Sequence, residues 1–113
     1  MTIRNAQLVA PVILTNAAVT LYTVPANTQA IITEASIANT SGGATVKLTI
    51  NIVPNAGSPS ASNTITPGVG LAPNSIYPCA ELIGKTLPAG TMISAHDDTG
   101  GVCSMEVSGY LTT

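Results

Sequence analysis

The sequence is short of charge. Only 7% of its 113 residues are Asp, Glu, Lys or Arg, against roughly 25% in an ordinary soluble chain. The few charges are also clumped. None of these residues, nor His, occurs from Asn5 to Thr33 or from Leu48 to Ala80. With three basic residues (Arg4, Lys47 and Lys85) and a net charge of −2, no basic patch for phosphate recognition can be assembled. Aromatics are scarcer still. Trp and Phe are missing, and Tyr22, Tyr77 and Tyr110 are the whole supply, which leaves little to stack bases or sugars on. No nucleic-acid partner is expected. No apolar run approaches the ~20 residues of a membrane-spanning helix, so the chain is expected to be soluble and to have no membrane partner.

One histidine and two cysteines narrow the chemistry further. His96-Asp97-Asp98 is the one cluster of potential metal ligands. Neighbours in a strand point to opposite faces, however, and a metal site needs three or four converging groups. Asp97-Asp98-Thr99-Gly100-Gly101 reads more simply as an acidic turn. Any nucleophile would need His96 as its base. Cys103 is the conceivable partner, but alternation turns Cys103 inward and sets His96 with Met92 and Ser94, opposite Ile93. A carboxylate pair drawn from Glu34, Glu81, Asp97, Asp98 and Glu106 has no sugar-stacking aromatic beside it. Thr66-Pro67-Gly68-Val69-Gly70 lacks the phosphate-loop lysine and a following helix. The expectation is a protein that is not an enzyme, with no catalytic residue, cofactor or metal. Cys79 and Cys103 fit no metal spacing, and can be disulfide-bonded or stay as small buried thiols.

Two further signals are set aside. Asn39-Thr40-Ser41 matches a glycosylation sequon that matters only in a eukaryotic secretory route. The N-terminal MTIRNAQLVAPVILTNAAV has the order of a signal peptide, but Gln7 and Pro11 interrupt its apolar part, and cleavage would delete a strand.

Hydrophobic residues make up 45% of the chain, enough to fold, and 113 residues suit one domain, 1–113. Period-two spacing dominates, and no segment has a sustained helical period. Thr45–Val53 is the clearest strand, with Val46, Leu48, Ile50 and Ile52 on one face and Thr45, Lys47, Thr49 and Asn51 on the other. In Thr28–Thr40, Ile31, Ala35 and Ile37 can face inward while Glu34, Ser36 and Ala38 face out, with Ile31-Ile32 leaving the register open by one residue. Asn39-Thr40-Ser41-Gly42-Gly43 reads as a tight turn joining these two strands into a long hairpin, and Val24-Pro25-Ala26-Asn27 as the turn that feeds it. Further strands are expected at Gln7–Leu14, Val19–Val24, Ser62–Thr66, Asn74–Leu82, Thr91–His96 and Val102–Leu111. Pro78 pushes its strand toward an edge, and Cys103, Met105 and Val107 face inward on the last. The uncharged loop Pro54–Ser75 is expected to lie along a neighbour or extend from the domain. About eight short strands with turn signals between them predict an all-β antiparallel sandwich of jelly-roll topology.

Several stretches carry a resemblance: Val24-Pro25-Ala26-Asn27-Thr28, Ala30-Ile31-Ile32, Ile37-Ala38-Asn39-Thr40-Ser41-Gly42, Val46-Lys47-Leu48, Leu71-Ala72-Pro73-Asn74, Leu87-Pro88-Ala89-Gly90-Thr91-Met92-Ile93 and Val107-Ser108-Gly109-Tyr110. Their cadence resembles small all-β virion proteins of tailed bacteriophages, including head decoration (cement) proteins, over about Leu14 to Tyr110. These motifs are turns and strand patterns, with no functional residue to carry over. In such relatives an acidic residue often follows the Ala-Gly pair, where this chain has Thr91.

The missing charge supports an assembled state independently. Mixed surface charge keeps monomers apart, and depletion of charge marks the buried centre of protein interfaces. Joined to this, the resemblance implies a virion component, assembled in the host cytoplasm. It would clamp a capsid as a homo-oligomer, expected to be a trimer, against the major capsid protein. The N-terminal strand and the Pro54–Ser75 loop are candidate contacts, with Tyr22, Leu71, Pro73 and Tyr77 as candidate interface residues. The alternative is a receptor- or glycan-binding module of a phage neck, tail or fibre.

Overall fold

Strands that are apolar on one face must bury that face against a second sheet, and the central strands of this chain do so. The computed structural model describes residues 2–113 and has nine strands: β1 (Ile3–Ile13), β2 (Val19–Thr23), β3 (Gln29–Asn39), β4 (Val46–Val53), β5 (Thr64–Leu71), β6 (Ile76–Tyr77), β7 (Thr86–Leu87), β8 (Met92–Asp97) and β9 (Cys103–Thr112). Single 3-10 turns at Ala61–Asn63 and Ala80–Leu82 are the helical elements among the described residues. One sheet runs β1-β9-β3-β6, with β7 also on β3; the other runs β2-β8-β4-β5. Every pairing is antiparallel. The pairs nest as β1 with β9, β2 with β8, β3 with β6 and β4 with β5, which is a rolled-up hairpin, the jelly roll.

The core between the sheets is aliphatic. Ile32, Ile37, Leu48, Ile50, Ile93, Met105 and Val107 are fully buried in it, with Leu14, Leu82 and Leu87 closing its ends. Val46, Leu48 and Ile50 face inward as their alternation requires, and so do Cys103, Met105 and Val107.

The expected hairpin of β3 with β4 does not form. These strands lie in different sheets, β3 beside β9 and β4 beside β8 and β5. Asn39–Ala44 is therefore an arch across the sandwich rather than a turn within one sheet. Neither Gly42 nor Gly43 has a positive φ, so the turn chemistry lies in side chains. The buried Asn39 amide donates to the carbonyls of Ala44, Leu71 and Ala72 at 2.8, 3.1 and 3.2 Å. Its Oδ1 accepts the Ser41 N–H at 3.0 Å, and Ser41 Oγ accepts the N–H groups of Gly43 and Ala44. A hairpin satisfies its backbone through the ladder; an arch cannot, and Asn39 supplies the missing partners.

The open register at Ile31-Ile32 is settled by a bulge. β3 slips against β9 between Ile32 and Glu34, so Thr33 is the extra residue, and the phase of alternation flips there. Ile32 therefore joins Ala35 and Ile37 inside, while Ile31 is half-buried on the outer side. The bulge brings the two backbones close. A Cβ on Gly109, opposite Ile32, would run into the Ile31 carbonyl, so glycine is required there.

The segment Pro54–Ser75 is also different from its expectation. It contains an eight-residue strand, β5, and its first part folds back over its own sheet. Asn51 Nδ2 donates to Ser60 O, Asn63 Oδ1 and Thr64 Oγ1 at 3.2, 2.8 and 3.0 Å. Asn51, expected on an exposed face, is thus buried together with Val53 and Ser94. The expected strand Asn74–Leu82 shrinks to the two residues of β6, and Pro78 and the left-handed Cys79 (φ 47°) end it.

Replacing Asn39 with Ala removes the donor of three carbonyls at the arch. The expected cost is about 2–4 kcal/mol, read as a lowered urea midpoint at unchanged slope.

Candidate functional site

The two long sides of the sandwich are chemically different. On one, β1 lies beside β2; on the other, β5 lies against the Ala80–Leu82 turn that follows β6. Tyr22 sits on β2 and Tyr77 on β6, at opposite sides, so the four expected interface residues are not brought together.

Each has its own internal role. Leu71, at the end of β5, is 5% exposed in the core, and its carbonyl holds Asn39. That leaves little of it for a partner. Pro73 is half-buried in the following turn and accepts Ser75 Oγ at 3.2 Å. Tyr22 packs its ring against the core, and its hydroxyl is buried without a hydrogen-bond partner. Burial pushes its pKa up, and the nearby Arg4 charge offsets this in part.

Tyr77 donates its hydroxyl to Glu81 Oε2 at 2.7 Å, and Thr66 Oγ1 donates to the same oxygen. Because Tyr77 belongs to one sheet and Thr66 to the other, this carboxylate joins the two sheets at their shared edge. Burial raises the pKa of Glu81, but the hydrogen bonds from Thr66 and Tyr77 and the Lys85 charge outweigh it, and the net shift is downward. Burial and then the bond to Glu81 push Tyr77 up to about 12.

The acidic turn divides as the alternation requires. Asp97 is fully buried, and its Oδ1 caps the N–H groups of Thr99 and Gly100. Asp98 points outward and accepts the Lys47 N–H at 3.0 Å, the main cause of its lowered pKa. Among the described residues no three His, Cys, Asp or Glu side chains converge as a metal site would need. Cys79 and Cys103 are free, buried thiols. Burial pushes both up to about 12, with the Glu81 charge adding at Cys79 and the neighbouring Asp97 at Cys103, so neither is a thiolate near neutral pH.

What the sequence reasoning missed is on the surface. Six large apolar or aromatic side chains stand exposed: Ile3, Ile13 and Val19 along the β1–β2 side, Ile76 and Ile83 near β6, and Tyr110 on the outer face of β9. Tyr110 was legible in principle, since it falls on the opposite phase from Met105 and Val107. Around it, a shallow depression of about 430 Å³ is lined by Asn5, Gln7, Thr33 and Ser108, with Gly109 beneath. Bulges in β1 and β3 flank β9 at this level, between Gln7 and Val9 and between Ile32 and Glu34.

No protein-family model matches the chain, and no curated protein matches it. Among solved structures it is similar to a mutant VP2 protein of infectious bursal disease virus in T=1 particles, at 14% identity and a TM-score of 0.40. It is similar also to a structure of the Gx strain of that virus, at 17% identity and 0.33. Both matches cover 97% of this chain, which spans 30% of the length of those chains.

The Glu81 clamp has a pH signature. A lowered native pKa means its contribution is full above the ordinary carboxylate value of 4.5 and is lost as pH falls through the native value. Glu81→Gln is expected to be less stable than the wild type by a constant margin from neutral pH to about 5, and the margin to shrink below 4.5. Urea midpoints measured across that range check it, and a margin that grows on acidification overturns the assignment.

Proposed function

We propose that the chain is a structural virion subunit that decorates and stabilises a tailed-phage head through protein–protein contacts. The observation that carries this reading is the surface: Ile3 is 58% exposed and Ile76 70%, on opposite sides of a sandwich with almost no charge. Exposed apolar side chains among neutral Ser, Thr, Ala and Asn are cheap to desolvate, and depletion of charge marks the centre of contact sites. A rigid body with such surface at both sides can join neighbours on either hand. Repetition over a shell then makes weak contacts strong together. The partners in this reading are further copies of the chain and the major capsid protein, and no enzymatic step is involved.

The expected outcome is that purified chain, added to heads that lack it, binds in fixed copy number and raises their disruption temperature by several degrees. Cryo-electron microscopy and differential scanning fluorimetry of the particles read both. Absence of binding at saturating concentration overturns the proposal.

A second reading, a glycan-binding module of a neck, tail or fibre, is favoured by the depression at Tyr110. A tyrosine ring with an amide on one flank and hydroxyls on the other offers a sugar both an apolar plate and hydrogen bonds. Isothermal titration calorimetry reads binding at the site whether or not Tyr110 is present. In titrations with maltohexaose and cellohexaose, this reading expects a saturable heat of binding and an affinity that falls about tenfold in Tyr110→Ala. Curves identical for the two proteins dispose of it.

A further inference from the structure

An uncovered edge strand is a template for pairing with another chain, and folded proteins blunt such edges by shortness, bulges, proline or charge. The edges of this sandwich are blunted with one exception. β6 and β7 are two residues each. β2 has five residues and slips between Thr20 and Tyr22. β5 contains Pro67 and Gly68 and slips twice against β4. The second half of β1 contains Pro11 and slips between Gln7 and Val9 and again between Val9 and Val12. The first half, Ile3–Gln7, keeps continuous register with β9, has neither bulge nor proline, and carries one charge, Arg4. Four of its five side chains are exposed.

We infer that two copies of the chain pair antiparallel through Ile3–Gln7, about a twofold axis at Asn5. Thr2 and Thr113 exchange both backbone hydrogen bonds, at 3.2 and 3.0 Å. In an antiparallel ladder, pairs of this kind alternate with pairs whose N–H and C=O groups point away. Arg4 and Ala6 therefore bond to β9, and Ile3, Asn5 and Gln7 aim their backbone groups outward. With the axis at Asn5, Ile3 faces the second copy's Gln7 and Asn5 faces its own counterpart. Each outward group then meets an outward group, and each such pair exchanges two hydrogen bonds.

The charge selects this register. A shift by one residue sets outward groups against inward ones. A shift by two places Arg4 opposite the second copy's Arg4, where like charges repel, or runs into the bulge after Gln7. With the axis at Asn5, Arg4 lies opposite Ala6. A strand complementary to itself in one register and obstructed in the adjacent ones points to a second copy as its occupant. The contact is twofold, and so gives a dimer in place of the trimer expected from the sequence.

This inference rests on the self-association in the virion reading but not on the capsid, so purified chain tests it alone. Light scattering after size exclusion is expected to give twice the 11.3 kDa of the chain. Asn5→Pro removes an outward N–H without costing a bond to β9, and is expected to yield a folded monomer. Asn5→Lys sets two ammonium groups face to face and weakens the dimer at least about fivefold, and Asn5→Glu does the same with carboxylates. Mixing these two charged variants restores the dimer. A monomeric wild type, a trimer, or a dimer indifferent to all three substitutions overturns the edge pairing and leaves the capsid reading to its own test. Failure of the charged mixture to recover overturns the register at Asn5.

Discussion

The fold depends on carrying a polar backbone across an apolar gap. β3, β4 and β9 are oily on one side, so the sheets must face one another, and the jelly-roll order obliges the chain to pass repeatedly from one to the other. At every passage the ladder stops and its N–H and C=O groups need other partners. Asn39 shows the solution most fully. One amide answers carbonyls from the arch it begins and from the segment after β5. It thereby ties two crossings of the sandwich, separated by a hairpin, to one point. Asp97 does the same for the turn between β8 and β9 with a buried carboxylate, and Asn51 fastens the segment that covers the outer face of β4. The chain is thus poor in charge on its surface but uses amides and a carboxylate inside.

This explains which parts of the architecture were legible in the sequence. Alternation reads out directly wherever a strand is regular, as in Val46, Leu48 and Ile50 or in Cys103, Met105 and Val107, and the antiparallel sandwich follows from it. Partner choice does not. A strand, a polar Asn-Ser-Gly-Gly turn and another strand describe a hairpin and an arch equally well, because both leave the alternation of β3 and β4 intact. What separates them is whether the Asn39 side chain meets carbonyls near Leu71, a contact between residues far apart in sequence. The bulge at Thr33 was hidden for a similar reason: its requirement lies on β9, at Gly109, and not in β3 itself.

Residue type alone does not separate an interface from an interior. Tyrosine and leucine are common anchors at protein contacts, but they also fill cores and hold clamps. Leu71 does the first and Tyr77 the second. Position within the alternation was the better signal, since the outward phase of β1 and β9 exposes Ile3 and Tyr110. The missing charge, which no single residue expresses, bore on the exterior as a whole.

The two sides of the sandwich give that missing charge a direction. On the β5–β6 side, Thr66, Tyr77 and Glu81 stitch sheet to sheet, and the strands there are short or broken by Pro67 and Gly68. That side is closed against strand addition by its backbone, though Ile76 leaves apolar surface on it. On the β1–β2 side the first half of β1 is regular, uncovered and nearly uncharged. Protection by bulge and proline begins only after Gln7, on the same strand. A chain that blunts one half of an edge and leaves the other smooth treats the two halves differently, and general tolerance of an unpaired edge does not account for that. Local use does: the regular half is where backbone hydrogen bonds can be offered outward, and the bulged half is where an added strand has to stop.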